Sequence, residues 1–195
     1  MEELKNQLSL FEDVIELNIP LSGNISDINF NWIQYNPRKN IPRLGCSITS
    51  LDGKDSGIPD LDSILEYNRI NKTNYTEKNF NIPTIHSFPF TEFLSNFSVG
   101  RCHYIKLEPG GFFPWHRDHD RDTIRLIYTV ENCEYEKFVW LEDEKLLKLE
   151  NRKWYYINTK KKHSVFSFHT SIFAVFNVLT TNENISKLIK HFRII

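Results

Sequence analysis

The chain has 195 residues, 40% of them hydrophobic and 25% charged, with a net charge of −1, which suits a globular protein with one substantial core. That near-neutral balance argues against a general nucleic-acid or membrane-surface binder, and no stretch is long or apolar enough to span a bilayer. Cys46, Cys102 and Cys133 are odd in number and widely spaced, so they read as reduced thiols. Met1-Glu-Glu-Leu-Lys lacks the basic-then-apolar order of a signal peptide, so a cytoplasmic location is expected.

Residues 1–98 read as a helix-and-loop preamble. Leu4, Leu8 and Phe11 fit helical spacing, while Val14-Ile-Glu-Leu17 fits a strand. Asn29 to Tyr35 suits a strand or a short helix. Tyr35 to Gly53, with two prolines and the cations Arg38, Lys39 and Arg43, reads as a loop ending in an Asp-Gly turn. Asp60 is expected to cap a short helix to Asn68, and Thr91 another to Phe97. From Val99 to about Leu179 the pattern becomes that of short strands. These include Thr123–Val130, a hairpin around Asp143-Glu144, Trp154–Asn158, His163–Phe168 and Ile172–Leu179. Residues 181–195 close the chain as an amphipathic helix capped by Asn182 or Asn184. Seven or eight strands after such a preamble fit a mainly β fold with flanking helices, a double-stranded β-helix or cupin-like jelly roll in a single domain. Residues 99–180 would be its core, and the preamble would shape the substrate side.

The stretch from Cys102 to Asp118 organises this pattern. Tyr104, Ile105 and Leu107 lead into a Pro109-Gly110-Gly111 turn, and Phe112-Phe113 begin a second extended run that delivers His116 and Asp118. Side chains two apart on a strand share a face, so an imidazole and a carboxylate can take two positions on a divalent metal. His163, opening a distant strand, can supply the third ligand of a 2-His-1-carboxylate face, the arrangement of non-haem Fe(II) oxygenases with positions open for substrate and oxygen. Arg125, in an otherwise apolar strand, needs an anionic partner. Arg38 and Arg43, with Ser47 nearby, could clamp a substrate carboxylate.

The order Tyr104-x-x-Leu107-x-Pro109-Gly110-Gly111, His116-x-Asp118, Arg125, Trp154-x-x-x-Asn158, His163 resembles the aspartyl/asparaginyl β-hydroxylase and proline-hydroxylase branch of the 2-oxoglutarate/Fe(II) dioxygenases. The match runs from about Val99 to Leu179. It implies Fe(II) held by His116, Asp118 and His163, and 2-oxoglutarate as cosubstrate. Arg125 would face one carboxylate, with Tyr104, Lys106 and Trp154 around the cosubstrate. The implied reaction is hydroxylation, with O2, of an unactivated C–H bond of an amino acid, free or in a peptide. One departure stands out. Many relatives place an Arg about ten residues beyond the distal His for the far carboxylate of 2-oxoglutarate, whereas Phe173 stands near that position and no Arg or Lys occurs between His163 and Lys187. Arg125 alone, or Lys106 or Arg101, would then hold that charge. The alternatives are a cupin-like metalloenzyme that does not use 2-oxoglutarate, or a nucleic-acid-modifying oxygenase with Arg38–Arg43 and Lys160–Lys162 on the backbone.

Overall fold

The structure, a computed structural model, describes residues 14–35, 40–118 and 122–192. The readings placed on Leu4, Leu8, Phe11, Arg38 and Lys39 lie outside them.

Eight strands form the roll: β6 (Val99–Leu107), β7 (Phe112–His116), β8 (Thr123–Glu131), β9 (Phe138–Glu142), β10 (Lys145–Leu147), β11 (Trp154–Ile157), β12 (His163–Ser167) and β13 (Ser171–Leu179). Five earlier strands precede them: β1 (Val14–Leu17), β2 (Ile33–Gln34), β3 (Arg43–Ser47), β4 (Thr49–Ser50) and β5 (Ile82–Pro83). The large sheet has the order β1-β11-β8-β13-β6-β3-β2 and the small one β10-β9-β12-β7, while β4 and β5 pair separately. From β6 onward the chain passes back and forth between the two main sheets, and every pairing is antiparallel. This is the jelly roll of a double-stranded β-helix. The stretch from Tyr35 to Gly53 is more than a loop, because β3 pairs with β6 and widens the large sheet.

Alternation along the large sheet builds two cores. Ile105, Leu107, Ile127, Tyr155, Phe173 and Val175 point inward and meet Phe138, Trp140 and Val165 of the small sheet. Cys102, Tyr104, Leu126, Tyr128, Trp154 and Phe176 point outward, under Phe90 and Phe93 and under Ile185 and Leu188 of the last helix. Each fully buried aromatic or aliphatic side chain contributes on the order of 1.5–3 kcal/mol.

Among the described residues three α-helices flank the roll: α1 (Ile64–Asn71), α2 (Thr91–Asn96) and α3 (Asn182–Ile189). Their caps differ from expectation. Ser63 caps α1, and Asp60 is drawn inside instead, accepting from the Leu51 amide at 3.1 Å and the Ser47 hydroxyl at 3.4 Å. The Thr91 hydroxyl donates back to the Phe88 carbonyl, since a 3-10 turn (Ile85–Phe90) runs straight into α2. Thr181 caps α3, which frees the Asn184 amide to bond the carbonyls of Ser98 and Leu179.

The Pro-Gly-Gly turn passes the chain from β6 in the large sheet to β7 in the small one. Gly110 has φ +83°, a left-handed conformation in which a side chain is strained. A Cβ on Gly111 would lie 2.6 Å from the Pro42 carbonyl oxygen. Two glycines are therefore required where two sheets approach this closely.

Candidate metal centre

His116 ends β7 and His163 opens β12, and the two are direct partners across the ladder. A bulge sets this pairing. His163 faces His116, but Val165 faces Phe113, so β7 holds one residue more than its partner over that step. Strict alternation would turn Phe113 and His116 to opposite faces. The extra residue instead brings both rings near each other, with centroids 6.1 Å apart, and leaves Trp115 outside at 42% exposure. Pro114 sits within the bulge of an edge strand, where proline's missing N–H is tolerated.

One ligand atom from each of His116, Asp118 and His163 falls within a mutual separation of 4.8 Å, and the two imidazole centroids are 4.1 Å apart. Each ring is oriented from behind. Nδ1 of His116 lies 2.6 Å from the Pro114 carbonyl oxygen, and Nδ1 of His163 lies 3.0 Å from that of Lys161. When each Nδ1–H donates to its carbonyl, the lone pair of each Nε2 is left for a metal, the usual second-layer support of a histidine ligand. Trp140 stacks on the His163 ring at 5.9 Å and 17°. Burial, and then the adjacent His116, hold the His163 imidazole below its ordinary pKa, so it is neutral and ready to ligate.

Asp118 is fixed by its amide, which donates to the Thr159 carbonyl at 2.9 Å. Burial alone would raise its pKa. Arg125, the Thr159 hydroxyl and the two histidines outweigh that and hold the carboxyl below the usual range. Arg125 Nη1 lies 2.9 Å from Asp118 Oδ2, an ion pair whose N–H is not aligned as a hydrogen bond. The donor set, two imidazoles tethered through Nδ1 and one carboxylate grouped at one end of the roll, fits Fe(II) with open coordination positions.

A narrow cavity, open at its mouth, adjoins the triad. His116, His163, Arg125 and Thr159 line its polar end, and Ile127, Val175, Val165, Trp140 and Phe173 form much of the remaining wall. Tyr35 and Phe113 stand at one side with Arg43 against them, its Cζ 4.1 Å from the Phe113 ring centroid. Arg43 also donates to the Phe112 carbonyl at 3.3 Å. Ser47 is turned to Asp60 and does not line the cavity.

The structure does not bring Tyr104, Lys106 and Trp154 to this cavity. On β6 the inward positions are His103, Ile105 and Leu107, so Tyr104 and Lys106 lie on the opposite face of the large sheet. The Tyr104 hydroxyl donates to the His86 carbonyl, and Lys106 pairs with Glu108 at 2.6 Å. Trp154 alternates with the inward Tyr155 and packs on Phe90, Phe93 and Phe176. Arg101 is committed as well, donating to both Glu77 carboxylate oxygens and to the carbonyls of Asp60 and Asp62. Sequence reasoning missed Trp140, Thr159 and Glu142. Of these only Trp140 carried a signal, as an aromatic at an inward position of a recognisable hairpin.

No protein-family profile matches the chain, and no curated protein matches it significantly. Among solved structures it is similar in part to a salicylate 1,2-dioxygenase from Pseudaminobacter salicylatoxidans (TM-score 0.33, 13% identity, 48% of this chain and 24% of that one). It is also similar in part to an RmlC-like cupin protein from Desulfovibrio desulfuricans (0.33, 11%, 40% and 70%). A predicted oxalate decarboxylase from Thermotoga maritima gives a TM-score of 0.35 at 17% identity over 45% of this chain and 72% of that one. The chain thus spans about a quarter of the dioxygenase it resembles.

Proposed function

We propose that the chain is a mononuclear non-haem iron oxygenase in which His116, Asp118 and His163 hold Fe(II). The observation that carries this is the meeting of three ligand atoms within 4.8 Å, both imidazoles tethered through Nδ1. Bound iron would supply oxygen activation toward an unactivated C–H bond. The chain's own residues would do the rest. Carbonyl tethers keep each Nε2 aimed inward, Arg125 neutralises Asp118 and presents a cation to the cavity, and the apolar wall excludes water.

The finer form of this proposal is a 2-oxoglutarate-dependent hydroxylase of an amino acid, free or in a peptide, as the resemblance implies. In that form Arg125 would take a carboxylate. A second form, a cupin-like metalloenzyme without 2-oxoglutarate, is favoured by one observation: among the described residues Arg125 is the sole cation lining the cavity.

Anaerobic addition of Fe(II), followed by 2-oxoglutarate, tests both forms, with His116→Ala as control. Stoichiometric iron in the parent and none in the variant is the expected result. A visible charge-transfer band that needs both additions would favour the hydroxylase form, and iron without the band the other. A protein that takes up no iron would sink the proposal.

A further inference from the structure

We infer that the cavity takes a small monocarboxylate with an uncharged, apolar body, and that the dianion 2-oxoglutarate does not fit it. The inference rests on the iron reading and adds to it the class of ligand. On β8 the inward residues are Arg125, Ile127 and Thr129, and on β13 they are Asn177, Val175 and Phe173, paired in that order. Arg125 stands at the level of Asp118. Each pair of residues advances about 7 Å along a strand, so Ile127 and Val175 lie one such step into the roll and Phe173 about two. The carboxylates of 2-oxoglutarate are about 6 Å apart. With one at the metal and the chain directed inward, the other would sit against Ile127, Val175, Val165 and Trp140, which offer it no cation.

Such a burial costs several kcal/mol when no partner is present. Turning the far carboxylate back to Arg125 would ask one guanidinium, already 2.9 Å from Asp118 and facing the near carboxylate, to serve a third anion. Lys106 lies on the other face of the sheet, and Arg101 is held by Glu77. An apolar body gains from the same walls, while its single carboxylate reaches Arg125 and the metal.

The test compares 2-oxoglutarate with 5-methyl-2-oxohexanoate, which carries an isopropyl group in place of the far carboxylate. Iron uptake is first measured by metal analysis, and each acid is then titrated anaerobically into the Fe(II) protein by calorimetry. The apolar acid should bind about tenfold tighter or more, as expected when an unpaired buried charge is removed. Arg125→Gln should weaken the apolar acid about tenfold, through the carboxylate it keeps. Equal or tighter binding of 2-oxoglutarate overturns the inference, as does iron-loaded protein that binds neither acid. Absence of iron uptake is a separate result; it removes the iron reading and this inference with it.

Discussion

Across the ladder from His163 stands Glu142, buried at 1% exposure with neither carboxylate oxygen hydrogen-bonded. Burial first, and then the nearby Asp143, push its pKa from 4.5 to about 7. The folded pKa lies above the unfolded one, so the native state binds more protons between them. Stability is therefore greatest below about pH 4.5, falls as pH rises to about 7, and levels off beyond. Glu142→Gln should raise stability at pH 8 by roughly 1–2 kcal/mol after allowing for solvent screening, and change little at pH 4.5. Urea unfolding of both proteins at the two pH values measures this. An equal effect at both would mean that Glu142 acts through packing and not through charge.

The element that matters most is β7, because its bulge decides where His116 points. Deleting Trp115 removes the extra residue and restores simple alternation with β12. The side chain lost is an exposed one, and Phe113 and His116 then stand two apart on one face, so the roll should remain folded with His116 still opposite His163. Far-UV circular dichroism and iron stoichiometry should both be kept, whereas iron lost from a folded protein would show that the bulge itself shapes the site. The turn ahead of β7 is less forgiving. Gly111→Ala places a methyl carbon 2.6 Å from the Pro42 carbonyl oxygen, and neither backbone can move without shifting its strand. A loss on the order of 2 kcal/mol or more is expected from chemical denaturation, with the metal site otherwise unchanged.

At the scale of the molecule, a metal on the proposed ligands His116, Asp118 and His163 would tie β7 and β12 to the approach to β8 at one end of the roll. A metal that binds only the folded chain stabilises it by mass action, about 2.7 kcal/mol at a free concentration one hundred times Kd. For a chain of this length that is a rise in Tm of about 5–10 °C. Anaerobic thermal melts with Fe(II), or with Mn(II) as an oxygen-stable substitute, should show it, and His163→Ala should abolish it. A shift of the same size in the variant would place the metal elsewhere.

Much of this arrangement was legible in the sequence. The period-two runs from Val99 to Leu179 announced the strands, and the Pro-Gly-Gly turn announced a crossing, because both are local consequences of backbone sterics and side-chain alternation. The residue types of His116, Asp118 and His163 announced a group able to meet around one point, and Arg125 announced an anion partner, which is Asp118, since an inward arginine demands a counterpart. What only the tertiary structure decided is facing. The bulge in β7 turns His116 to the side of Phe113, which strict alternation would forbid, and one step along β6 sends Tyr104 and Lys106 away from the cavity while His103 and Ile105 turn inward. The same holds for β3, whose pairing with β6 depends on a partner more than fifty residues away. Register and bulges are settled by long-range packing of the two cores, and no local window of the chain contains that information.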